Sequence, residues 1–310
     1  MERPSVLQRW QSPEHWLNRI AVVIALFVLV VMAVSAVAAT EPMRRIESIG
    51  MLSTMMIWIA VAGIIVFDEW RQPAGDIIAT GITATKSTPA LIMRGALWAA
   101  TMLAVAAGVG LVLGGHFQIG AAEVSPLAVV MIIVSAIGEE LLFRTTVLRV
   151  LHDRFGSFWA VMITSALFSA AHGGNPAMGQ ISSINTFIVA VAFGIVTLKS
   201  GSIWIASTCH VVWNLLVAAV FGPVSGIDPG LSWMRYTTAA DDHLAQLLMG
   251  DAYGVESGLV CTGVLIISLA MIRHIIAVDP YVVSARYRIS FTRAAYSNRS
   301  ATEMELTNGE

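Results

Sequence analysis

Val134-Ser135-Ala136-Ile137-Gly138-Glu139-Glu140-Leu141-Leu142-Phe143-Arg144 is the stretch on which the reading of this chain turns. Fourteen apolar or small residues, Ser125 to Gly138, lead into its charged end. Together with the residues that follow they make a helix long enough to cross a bilayer. The helix nevertheless carries two carboxylates and a guanidinium. Ionisable groups near a bilayer centre cost roughly 2.5–3.5 kcal/mol each on insertion scales, so three of them cost about 7–10 kcal/mol before any pairing. Leucine-like residues each return only about 0.3–0.6 kcal/mol. A penalty of that size points to chemistry or transport.

The whole chain agrees with a membrane reading. Of its 310 residues 56% are hydrophobic and only 12% are charged, with a mean hydropathy of +0.75, whereas soluble domains carry about 25% charged residues. A net charge of −2 gives no electrostatic case for nucleic acid as a partner. Two separated cysteines, Cys209 and Cys261, support neither a disulfide framework nor a thiolate metal site.

Eight apolar segments are candidate spans: Ile20–Ala39, Ser48–Phe67, Leu91–Leu113, Ser125–Val147, Ser157–Ala171, Ile181–Leu198, Ile203–Phe221 and Ser257–Ile276. The first is too long for an ordinary signal peptide and reads as a retained span, although Ala36-Val37-Ala38 has some likeness to a cleavage site. The basic residues give the orientation. With the N-terminus inside and eight crossings, fifteen of the eighteen Lys and Arg fall on the inner side. Arg44, Arg45 and Arg235 fall outside, which is the bias that the positive-inside rule requires. The expected fold is all-α, a polytopic membrane helix bundle of about eight transmembrane helices with both termini inside. Residues 1–90 are read as N-terminal helices and loop, 91–278 as the functional core, and 279–310 as a disordered cytoplasmic tail rich in Arg, Ser and Thr.

Three helices carry polar pairs at helical spacing. Glu140 and Arg144 are four apart and share a face, so they can cancel. Glu139 lies about 100° round and is left unpaired. Phe168 and His172 share a face on the next helix, and His210 and Asn214 share one on the seventh. At about 1.5 Å per residue, Glu139 lies about 22 Å and His172 about 27 Å from the turn near Arg154. His210 lies about 16 Å beyond Lys199, and Glu139 about 15 Å beyond Arg149. A carboxylate and two imidazoles thus arrive at one level from three helices. A desolvated Glu139 can serve as general base on water, with His172 sharing that water. His210 and Asn214 can donate to a developing oxyanion. The same Glu139, His172 and His210 are also enough to hold a catalytic zinc with one open position.

These three motifs, Glu139-Glu140-x-x-x-Arg144, Phe168-x-x-x-His172 and His210-x-x-x-Asn214, resemble those of the type II CAAX prenyl endopeptidase and bacteriocin-processing family of intramembrane proteases. They occur in the family's order, and the resemblance covers about Arg94–Phe221. Gly254-Val-Glu256-Ser-Gly258 is similar to a Gly/Glu segment common after the last motif in bacterial members. The resemblance implies that Glu139 and His172 activate water, that His210 and Asn214 form the oxyanion hole, and that Glu140 and Arg144 orient the site, with Phe168 supporting it by packing. It implies no obligatory metal, with Zn2+ as the alternative. The implied partners are membrane lipid and a membrane-associated protein or peptide substrate, in the plasma membrane of a bacterium.

Two other function classes compete. A proton- or ion-coupled transporter would use Glu139, Arg144 and the histidines as a relay, but such folds show inverted repeats and broken helices in matched halves, and none is evident here. A non-proteolytic scaffold or immunity protein of the same fold would keep all three motifs. His15, His116, His152, His243 and His274 fall in flanks or loops, and Cys209 reads as a core thiol turned away from its neighbour His210.

Overall fold

Ser125 and Pro126 begin the helix that carries the charged cluster. The Ser125 hydroxyl accepts from the Ala128 N–H at 3.4 Å, and Pro126 stands in the first turn, where its missing N–H leaves no bond unmade. In this computed structural model, which describes residues 16–40, 49–70, 81–119, 125–231, 233–237 and 243–277, that helix is α4 (Pro126–Glu140). Before it come α1 (Trp16–Ala38), α2 (Ile49–Trp70), α3 (Thr88–Val112) and the short strand β1 (His116–Ile119). After it a π-helical segment, Leu141–Val147, leads into α5 (Leu148–Ala171). Then follow α6 (Gln180–Ser200), α7 (Trp204–Val220), β2 (Met234–Thr237), α8 (His243–Met249), a 3-10 turn at Val255–Ser257, α9 (Leu259–Ala270) and α10 (Ile272–Ile275).

A helix covers each of the eight expected apolar segments. Among the described residues Ala21–Ala38, Thr88–Val112, Pro126–Ala171 and Gln180–Ser200 are long and apolar enough to cross a membrane, while Leu52–Ile65, Trp204–Val220 and Leu259–Ala270 are shorter apolar helices. The long Pro126–Ala171 run is not one rod. Gly156 has φ 77° and ψ 173°, a positive φ that glycine tolerates, and it breaks α5 close to the turn expected near Arg154. Large apolar side chains such as Leu29, Met32, Leu97 and Ile267 are exposed, as lipid-facing residues of an integral membrane protein are. Arg3, Arg9, Arg44, Arg45, Arg71, His15 and the tail 279–310 lie outside the described residues, as do Asp241 and Asp242.

The fold is helical as expected, with one departure. His116–Ile119 pairs antiparallel with Met234–Thr237 in a two-stranded ribbon. It is anchored by the Tyr236 hydroxyl, which donates to the Gly110 carbonyl at 3.1 Å, and by the edge-on contact of Phe117 with Phe221. Four-residue strands in loops carry too little alternation to be read beforehand.

Close packing, rather than water exclusion, holds helices together in lipid, and small residues allow it. A Cβ on Gly95 of α3 would collide with the Ile205 carbonyl of α7, so these two backbones lie in contact. Trp98, Met102, Phe193, Cys209, Val217 and Leu265 fill the core between α3, α6, α7 and α9. A second cluster joins Val61 and Ile65 of α2 to Leu141, Leu142 and Phe143 of the π segment and to Phe168 of α5. Trp58 of α2 lies directly on Gly138, where a Cβ would come within 2.8 Å of its ring. The N-terminal helices therefore back the catalytic-looking helix immediately beside Glu139.

Candidate active site

The backbone widens to a π-helix one residue after Glu139-Glu140, a feature frequent at functional sites. Glu140 is wholly buried there. Its Oε2 accepts from Arg144 Nε at 2.9 Å, the intrahelical pair expected from the spacing. Its Oε1 accepts from His210 Nδ1 at 3.1 Å, a link to α7 that the spacing does not reveal. The terminal nitrogens of Arg144 find no hydrogen-bond partner among the described residues. They belong to a guanidinium that lies 5.1 Å from the Phe168 ring centre and 5.8 Å from that of Phe193. Phe168 thus packs against the site as expected, and its ring also stacks 4.7 Å from His172.

Glu139 takes a different position. Its Oε2 lies 3.8 Å from His172 Nε2 and 3.9 Å from His210 Nε2, with no closer polar partner among the described residues. The other ring nitrogens fix the tautomers. His172 Nδ1 is 2.9 Å from the Phe168 carbonyl, which can only accept, so Nδ1 carries the proton. His210 Nδ1 likewise donates to the Glu140 carboxylate. In the neutral rings both Nε2 atoms therefore present lone pairs towards a carboxylate oxygen. Three acceptors face a common space, which suits a donor such as water.

A partly open cavity adjoins this point. His172, His210, Asn214 and Phe168 line it, together with Met102, Val189, Phe193 and Leu265. Glu139 does not border it, but both imidazoles that its carboxylate approaches do. The Asn214 amide makes no hydrogen bond to the described residues, so its donors are available to a ligand. Cys209 and Cys261 are both buried free thiols, as expected of core residues, yet both border the cavity. Cys209 thus packs in the core as expected, and the cavity reaches its part of α7 as well as the part carrying His210.

The donor set of Glu139, His172 and His210 also bears on zinc. Among the described residues no three His, Cys, Asp or Glu side chains are gathered closely enough to hold a metal ion.

Comparison with known families then gives the class. The model for the type II CAAX prenyl endopeptidase Rce1-like family matches residues 121–216. Residues 121–216 are an Rce1-like CAAX prenyl endopeptidase domain. By that class the protein is an intramembrane endopeptidase, and its substrate is a protein or peptide. The matched region contains Glu139, Glu140, Arg144, Phe168, His172, His210 and Asn214. A search of curated proteins found no match to the chain.

The endopeptidase domain does not enclose its cavity alone. Ser225 and Glu256, C-terminal to the matched residues, complete the wall with Asn185 and Trp213. The sequence signal for them was slight: a glutamate between two glycines in an otherwise ordinary loop.

Proposed function

We propose that the protein hydrolyses a peptide bond of a membrane-associated protein or peptide, with Glu139 as general base on water and no metal required. The observation that carries this reading is the approach of the Glu139 carboxylate to within 4 Å of the Nε2 atoms of both His172 and His210. Gaps of 3.8 and 3.9 Å are too long for direct hydrogen bonds and suit a bridging water.

The mechanism follows from the donors. A water donates one proton towards Glu139 and the other towards His172 Nε2. As the oxygen attacks the substrate carbonyl, Glu139 takes the proton. The developing oxyanion accepts from Asn214 Nδ2 and from His210 Nε2. His210 can donate from Nε2 only as the imidazolium, because its Nδ1 proton is already committed to Glu140. Glu140 supports that cation, and Arg144 holds Glu140 in place. Collapse of the tetrahedral intermediate expels the amine, which receives the proton held by Glu139. The apolar remainder of the cavity excludes water from the scissile bond and accommodates a hydrophobic side chain or lipid-borne segment.

The chain crosses a bacterial plasma membrane eight times with both termini inside on this reading, which the distribution of Lys and Arg over the eight apolar segments supports. Purified protein in lipid nanodiscs, assayed on a membrane-anchored peptide library, tests the chemistry. Cleavage that persists unchanged in Glu139→Ala would refute the mechanism.

A further inference from the structure

The cavity wall carries a second carboxylate that the reaction above does not use. Glu256 stands in the 3-10 turn Val255–Ser257, between Gly254 and Gly258. The turn is fixed from several sides. Gly254 has φ 101°, and a Cβ there would collide with the Pro223 carbonyl. Asn185 of α6 donates to the carbonyls of Glu256 at 2.8 Å and Gly258 at 3.2 Å, and its own carbonyl oxygen accepts from the Thr262 hydroxyl at 2.7 Å.

The side chain is fixed as firmly. Glu256 Oε1 accepts from the Trp213 indole N–H at 2.9 Å. Oε2 accepts from the Ser225 backbone N–H and from the Ser225 hydroxyl at 3.2 Å. Every one of these donors is neutral. Among the described residues no Lys, Arg or His pairs with Glu256, although each of the other carboxylates of the site faces a cationic or imidazole partner. Burial, and then the nearby Glu256 carboxylate, push the Tyr253 phenol up. The same cavity is otherwise bounded largely by apolar side chains such as Met102, Phe193 and Leu265. An anion held there attracts a cation more strongly than it would in bulk water.

We propose that Glu256 is a substrate subsite that takes a cationic group of the peptide, a Lys or Arg side chain or a free α-ammonium, close to the scissile bond. Trp213, which donates to Glu256, lies between His210 and Asn214 on α7. His210 to Trp213 is about 4.5 Å along the helix axis, and an extended peptide advances about 3.3–3.6 Å per residue. The cation therefore belongs within about three residues of the cleaved bond. A neutral group at that position leaves the carboxylate unpaired, and an anionic one is repelled.

This inference rests on the proteolytic reading, and the experiment separates the two. Full-length protein in nanodiscs is given peptides with Lys moved through the three positions on each side of the cleaved bond. Norleucine and Glu counterparts, and peptides with free or acetylated N-termini, run alongside. The expected result is one position, or the free amine, at which the cation raises kcat/KM about tenfold over its neutral counterpart. Glu256→Gln should bring that ratio close to one, and Glu256→Asp should retain part of it. Absence of any preference in the wild type, or an unchanged preference in a folded Glu256→Gln protein, overturns the proposal. A binding arm uses the Glu139→Ala protein with the same labelled peptides. There too, Lys should bind more tightly than norleucine, and equal binding counts against the subsite whether or not Glu256 variants fold. If no peptide is cleaved while the binding preference remains, the proteolytic reading fails and the cation subsite stands.

Discussion

The Glu140 carboxylate accepts the Nδ1 proton of His210 at 3.1 Å, joining α4 to α7 across seventy residues of sequence. Because Oε2 of the same carboxylate accepts from Arg144, one buried anion supports an intrahelical cation and an imidazole of another helix at once. The two adjacent glutamates therefore do different work, and their substitutions should separate by type of measurement.

Glu139→Gln removes the base but no hydrogen bond between helices. It should lower kcat by about 10²–10⁴ with the thermal midpoint in detergent almost unchanged. Glu140→Gln leaves Arg144 buried without its counter-charge and costs about 3–5 kcal/mol of stability. A large drop in midpoint for Glu139→Gln, with none for Glu140→Gln, would reverse the roles assigned here.

Asn214→Ala should act on the transition state. Removing one oxyanion donor costs about 10²–10³ in kcat, with KM little altered. If KM rises while kcat holds, Asn214 binds the ground state instead, and the oxyanion assignment fails.

Gly138→Ala probes the backing of the site by α2. The new Cβ would sit 2.8 Å from the Trp58 ring, and overpacking of this kind typically costs about 1–3 kcal/mol. Combining it with Trp58→Leu should recover part of the loss. An additive double mutant, read by thermal unfolding, would show that the two residues do not meet.

Strong chelator should leave the activity of purified protein intact under the proposed mechanism. Loss of activity followed by rescue with zinc, and not with magnesium or calcium, would instead support a metal held by Glu139, His172 and His210.

Much of this site was legible in the chain. The i,i+4 spacing of Glu140 and Arg144 gave their pairing, because a helix places those positions on one face. Counting residues from the helix ends brought Glu139, His172 and His210 to a common depth, and in the fold Glu139 lies within 4 Å of both imidazoles. The β-ribbon between residues 116–119 and 234–237 was not legible, since its strands are too short to show a period. Nor was the π-helical widening at Leu141–Val147, because α- and π-helical turns draw on the same residue types and share no distinguishing pattern.

The sequence by itself determined that the chain is a helical membrane protein and which polar residues are the candidates for its chemistry. Apolar runs of spanning length and polar residues at helical spacing are properties of local chain geometry. Tertiary structure alone decided which carboxylate meets which imidazole. His210 hydrogen-bonds Glu140 while only approaching Glu139, and Glu256 joins the cavity through Trp213 and Ser225. Those partnerships depend on the rotation of α7 against α4 and on how the loop carrying Ser225 and the turn carrying Glu256 pack, and both are fixed by contacts between residues far apart in the chain.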